Sequence, residues 1–172
     1  MVVEIGRHRR PASPVAQAVL VAVCWLTVLA VSPYRHVPAQ VHDIALFVHL
    51  GSMVIGFGAV LTVDWFGLLW LTGRRTLADV LSTARGTHVL IWAGFAGLLA
   101  SGALLGMPAG PKALAVLVIG INGVYAAVLL RELGRHPRPP TFLLVRAGLA
   151  TTISQAAWWT ALVLGYLNSR GR

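Results

Sequence analysis

Three ionisable side chains lie inside long apolar runs of this sequence: His49, Asp64 and His88. A charge or an imidazole in hydrocarbon is costly, so each calls for a partner or a role. Asn122, Thr151, Thr152, Ser154 and Gln155 are the neutral polar groups in comparable surroundings. The imidazole of His49 offers a nitrogen to a metal. Gly56, seven residues on, falls on nearly the same helix face and would leave room beside it. That pairing is the expected place for a flat, metal-bearing ligand such as haem. The other reading of His49 is an interhelical hydrogen bond to a neighbouring Ser, Thr or backbone carbonyl.

His36, His42 and His49 fall at one end of the chain's apolar segments. His42 and His49 share a helix face if the helix starts early enough, and with Asp43 they offer donors that copper or zinc accepts. Asp64 lies fifteen residues beyond His49, about 22 Å along a helix, so the two cannot share one small site. His88 opens the next apolar run at the depth of Asp64. Antiparallel packing would bring Asp64 and His88 together as a pair able to orient a ring or relay a proton. Otherwise Asp64 reaches the interface and pairs with Arg74, Arg75 or Arg85. His49 and His88 sit at opposite depths, which argues against ordinary bis-histidine haem ligation.

The elements that must position these groups are helices in a bilayer. Of 172 residues, 57% are hydrophobic and 11% charged, whereas soluble domains carry about a quarter charged residues. The apolar runs are long enough to cross a membrane. They predict an all-α, polytopic bundle of about five transmembrane helices in one domain, over residues of about 15–31, 44–72, 88–107, 112–131 and 142–167. The first run follows Arg7, Arg9 and Arg10 as in a signal peptide, but its length favours an uncleaved helix. The second is about 45 Å long, more than a hydrocarbon core of about 30 Å, so it must tilt or project. Residues 76–83 read as a surface helix, with Thr76 as cap and Asp79 three residues later. The third run carries Gly94, Gly97, Ser101, Gly102 and Gly106, whose small side chains let backbones approach. With Asn122 of the fourth run, Gly94, Gly97, Ser101 and Gly102 are the expected packing residues, and the third helix is expected at the centre of the bundle. Pro137, Pro139 and Pro140 exclude helix before the fifth run.

Charge fixes an expected orientation. With the N-terminus inside, Arg7, Arg9, Arg10, Arg74, Arg75, Arg85, Arg131, Arg135, Arg138 and Arg146 are inner, and Arg35, Lys112, Arg170 and Arg172 outer, ten of the 14 basic residues against four. The positive-inside rule then favours N-in, C-out, in a bacterial inner membrane. The same distribution argues against nucleic acid as the partner of the +9 net charge. The single cysteine, Cys24, allows no intrachain disulfide and no cysteine-based zinc site. No nucleophile–base set, phosphate-binding glycine loop or redox cysteine pair is present in the sequence.

Three stretches carry a resemblance: Phe47-Val-His-Leu-Gly-Ser-Met-Val-Ile-Gly-Phe-Gly, His88-Val-Leu-Ile-Trp-Ala-Gly-Phe-Ala-Gly-Leu-Leu-Ala-Ser-Gly and Lys112-Ala-Leu-Ala-Val-Leu-Val-Ile-Gly-Ile-Asn-Gly. Together they resemble, over about half the chain, small bacterial membrane proteins of the CopD-type copper-resistance and HemJ-type protoporphyrinogen oxidase group. The resemblance implies that His49 is associated with haem and Lys112 with activity. The chain departs from that pattern at Val63-Asp64-Trp65-Phe66, where the group has a basic and aromatic stretch, and in its additional first helix.

Three functions follow as expectations. The first is a haem- or copper-linked membrane protein with His49 as the ligand, and with His49 and Lys112 lining one cavity between the second and fourth helices. The second is a non-enzymatic accessory or assembly subunit, partnered by other membrane subunits or by copies of itself. The third is an oligomeric transporter or ion pathway using Asp64 and His88.

Overall fold

A computed structural model describes residues 13–34, 37–107 and 109–170. Among the described residues the regular structure is helical throughout, with five α-helices: α1 (Pro14–Val31), α2 (Ala39–Leu71), α3 (Leu77–Leu104), α4 (Pro111–Leu133) and α5 (Thr141–Arg170). Four of them, α1 to α4, are long and apolar enough to span a membrane. The chain is therefore a multi-pass membrane protein. α5 is as long as a span and packs along α4. Its Thr151, Thr152, Ser154 and Gln155 make it the most polar of the five.

The surface agrees with a bilayer environment. Phe47 is 79% exposed, Val54 74% and Val89 73%, so large apolar side chains face outward where a soluble protein would carry charge. α2 is 33 residues long, about 50 Å at 1.5 Å per residue, and so exceeds the hydrocarbon thickness as expected.

Local signals set the ends. Ser13 accepts a hydrogen bond from Ala16 N at 3.2 Å, and Pro14 occupies the first turn of α1. α2 starts at Ala39, directly after Pro38, so His42 and Asp43 are helical. It stops at Gly73, whose φ of 73° suits a residue without Cβ. Thr76 and Asp79 form a complete capping box, with Thr76 N donating to Asp79 Oδ2 at 2.9 Å and Asp79 N donating to Thr76 Oγ1 at 3.2 Å. This cap opens α3 itself. The expected surface helix of residues 76–83 and the third span are one continuous helix of 28 residues, because the polar stretch around Arg85 and Gly86 contains no breaker strong enough to end it.

α2 packs chiefly on α3 and α4 chiefly on α5, giving two antiparallel hairpins, while α1 lies against α4 and α3. Trp25 Nε1 donates to Ala113 O at 2.7 Å and fastens α1 to the start of α4. Met107 N donates to the buried Ser32 Oγ at 2.5 Å and ties the end of α1 to the turn after α3.

The first hairpin closes on small residues. A Cβ added to Gly94 would lie 2.5 Å from Gly56 Cα and 2.7 Å from Ser52 O, and the Ser52 side chain fills the Cβ position of Gly97. Gly102 and Ser101 are buried nearby, with Met107 Sδ 4.0 Å from the Cβ position of Gly102. These are backbone-to-backbone approaches that a larger side chain would prevent. The most enclosed helix is nevertheless α4, and the expectation for the third helix is corrected here. In their most apolar stretches 44% of α4 is buried against 33% of α3. The cause is position: α4 is covered by α1 on one side and α5 on another, while one face of α3 looks out through Val89 and Leu90.

Candidate functional site

Between the two hairpins lies a cavity of about 740 Å³, in the half of the bundle that ends in the arginine-rich connections. Its walls come from all of α2 to α5. Most of the lining is apolar, including Val60, Leu81, Ile91, Ile119 and Leu144, and a few polar groups converge on it: Asp64, His88, Asn122, Thr151 and Ser154. Trp158, 1% exposed, also lines it. Its indole N–H is buried and has no hydrogen-bond partner among the described residues. A buried donor left unpaired is costly.

The polar residues are held by bonds across and along the helices. Gln155 Nε2 donates to Asp64 Oδ2, and Gln155 Oε1 accepts from Trp159 Nε1 at 3.0 Å. The Gln155 amide thus couples α5 to α2. Phe57 strengthens the same join, stacking on Trp158 with centroids 5.6 Å apart and meeting Trp159 edge-on at 5.2 Å. Asp64 therefore finds its partner in Gln155. It makes no ion pair with Arg74, Arg75 or Arg85 among the described residues; α2 continues past Asp64 for about two turns before Arg74 and Arg75. Asp64 and His88 line the same cavity, yet no hydrogen bond joins them. His88 Nε2 instead accepts from Trp92 Nε1 at 3.1 Å, one turn along α3. A ring nitrogen that accepts carries no proton, so the neutral ring bears its hydrogen on Nδ1. Asn122 Nδ2 donates to Ala150 O at 2.8 Å, a buried bond between α4 and α5.

At the opposite end, His49 Nδ1 lies 2.9 Å from Ser101 Oγ, and Ser101 Oγ donates to Gly97 O at 2.5 Å. The serine has one hydrogen, and the carbonyl takes it. His49 must then donate through Nδ1–H, which leaves Nε2 as an acceptor. Lys112, at the start of α4, is close enough for its ammonium to act electrostatically on this ring. The Lys112 side chain runs past Gly165 of α5, with Nζ 3.5 Å from that glycine's Cβ position. Neither His49 nor Lys112 lines the 740 Å³ cavity.

Gly56 has a different part from the one expected. The space beside it is taken by Gly94 Cα at 3.3 Å and the tip of Trp158 at 3.1 Å, both measured from its Cβ position. The glycine admits a neighbouring helix, and a flat ligand has no room on that face. His42 approaches Asp43 at 3.7 Å, both on the exposed start of α2. Among the described residues no three His, Cys, Asp or Glu side chains converge as a metal site would require. His36 lies outside the described residues.

Sequence reasoning did not single out Trp158 or the two arginines near His88 as site residues. A second, smaller cavity of about 190 Å³ is lined by Arg85, His88, Ala127, Leu130 and Arg131. His88, Ala127 and Leu130 line both cavities, so the two lie side by side. Trp158 in mid-helix, away from the interfacial depth usual for tryptophan, was the one available signal. No family model matches the chain, and neither a curated protein nor a solved structure matches it.

Proposed function

We propose that this chain is a non-enzymatic protein of the bacterial cytoplasmic membrane, N-in and C-out, that binds a hydrocarbon-chained ligand in the cleft between its two hairpins. The single observation that carries this reading is the cavity of about 740 Å³, apolar in its walls with a few convergent polar groups. Ligand sites for small molecules have this size and this mixture. The arginine count supports this orientation, under which the cleft lies in the cytoplasmic half.

Hexadecanol titrated into protein in neutral detergent, followed by native mass spectrometry, tests the reading. One bound molecule per chain is expected, lost in Ala147→Phe, which fills the α5 wall. Stoichiometry and affinity unchanged by that substitution would mean that the chain binds elsewhere, on the lipid-facing surface.

A second reading is favoured by the His49–Ser101–Gly97 chain. Fixing Nδ1–H on an oxygen is how proteins orient a histidine whose Nε2 ligates a metal. His49 is thus fitted to hold a copper or haem iron through Nε2. The filled space at Gly56 excludes a macrocycle stacked along that part of α2. A metal-dependent absorption band removed by His49→Ala supports this reading. Colourless protein after loading with haem or with copper ions counts against it.

A further inference from the structure

The small cavity beside the cleft has a chemistry that its apolar walls do not explain. Arg85 and His88 present it from α3, and Arg131 from α4. No carboxylate lines it. The described acidic residues are all placed elsewhere: Asp79 in the Thr76 cap, Glu132 with Arg135 at 2.8 Å, Asp43 beside His42, and Asp64 with Gln155. Neither Arg85 nor Arg131 has a carboxylate within ion-pair distance among the described residues. Arg85 Nε donates to Leu81 O at 3.1 Å, which steadies the side chain and leaves its terminal nitrogens for another acceptor. His88, with its hydrogen on Nδ1, adds a neutral donor.

Two exposed guanidinium groups and an N–H donor, with no carboxylate lining the same cavity, offer the donors that an anion would use. The planar donors of arginine match the oxygens of phosphate or carboxylate, two at a time. The site adjoins the apolar cleft at His88, Ala127 and Leu130, which line both. We propose that Arg85, Arg131 and His88 bind the phosphate-like head of an anionic amphiphile whose hydrocarbon chain fills the cleft. This rests on the cleft reading and adds the class of ligand to it. The charge sits at the headgroup depth of the arginine-rich side, and the chain runs inward toward Trp158. A single molecule then satisfies both the uncompensated positive charge and the apolar volume. Inorganic phosphate, which brings no chain, uses half of the site.

The test compares hexadecyl phosphate, hexadecanol and inorganic phosphate as probes of the full-length protein in neutral detergent. Wild-type protein should hold hexadecyl phosphate about tenfold or more tighter than hexadecanol, the worth of charge-assisted hydrogen bonds. The double variant Arg85→Gln with Arg131→Gln should bring the two probes to equal affinity and leave hexadecanol unchanged. Arg85→Lys with Arg131→Lys should recover part of the preference, since it returns the charge without the fork. Independently of any variant, added potassium chloride should weaken hexadecyl phosphate and leave hexadecanol unaffected. If hexadecanol binds and the phosphate gives no preference, this inference fails while the cleft reading stands. If neither probe binds, both fail. A preference untouched by the double glutamine variant places the head elsewhere and overturns the assignment. Inorganic phosphate displacing hexadecyl phosphate at equal concentration identifies a free-anion site and overturns it as well.

Discussion

Replacing Gly94 by alanine adds one methyl group at the closest point of the α2–α3 hairpin. The new Cβ would lie 2.5 Å from Gly56 Cα, 2.6 Å from Gly56 N and 2.7 Å from Ser52 O. All three are backbone atoms and cannot rotate aside. Restoring an ordinary contact of 3.4 Å from 2.5 Å requires the helices to part by about 0.9 Å. That movement also loosens Ser52 against Gly97 and Trp158 against Gly56. Overpacking of this kind costs about 1–3 kcal/mol, and alanine's better helix propensity, worth about 1 kcal/mol, offsets only part. The matched control is Gly58→Ala on the same helix as Gly56, where a Cβ meets nothing within 4 Å. It should be neutral or slightly stabilising. Thermal unfolding in detergent, read by loss of the monodisperse peak, should put Gly94→Ala several degrees below Gly58→Ala, on the scale of roughly 2–4 °C per kcal/mol for a chain of this size. Equal midpoints for the two variants would refute the close backbone contact and the reason given for glycine there.

Asn122→Leu removes the α4–α5 bond to Ala150 O and should lower stability by about 1 kcal/mol, measured by the same unfolding assay. Gln155→Leu leaves Asp64 without its partner; it should destabilise the protein more than Thr152→Leu one turn away, and equal effects would deny the α2–α5 link. Ser101→Ala frees the His49 ring to change tautomer, so in the His49-ligand reading it should weaken a metal-dependent band without abolishing it, whereas His49→Ala abolishes it. Reporter fusions at Arg135 and Asn168 should report inside and outside; the reverse at both would overturn the orientation and move the cleft to the other leaflet.

Much of the fold was legible because apolar length, prolines and caps act locally. Pro14, Pro111 and Pro140 mark helix starts, and the Thr76–Asp79 box was readable from its spacing. What the box opened was not readable. Arg85 and Gly86 look like a loop in sequence, yet a helix runs through them, since polar residues at the membrane surface do not break a helix. The site was legible by residue and not by partner. His49 was recognised as needing a bond, and Ser101, recognised only for its size, supplies it. Gly56 promised room, but spacing alone cannot say whether a ligand or another helix fills it. Asp64 and His88 were placed at one depth, and they do face one cavity, but each took a neutral partner whose approach depends on how the hairpins cross. The convergence of Arg85 with Arg131 comes from residues 46 apart in sequence on different hairpins, and no local pattern encodes it.

The central claim is that the cleft between the hairpins holds a hydrocarbon chain, and photolabelling tests it most directly. Hexadecanol carrying a diazirine at the end of its chain is added to the protein in lipid vesicles, irradiated, and the labelled residues are mapped. The account predicts labels on cleft-lining residues such as Ile91, Ile119, Gly123 and Trp158, removed by an excess of unlabelled hexadecanol. Labels confined to outward-facing Phe47, Val54 and Val89, undiminished by competitor, would contradict it.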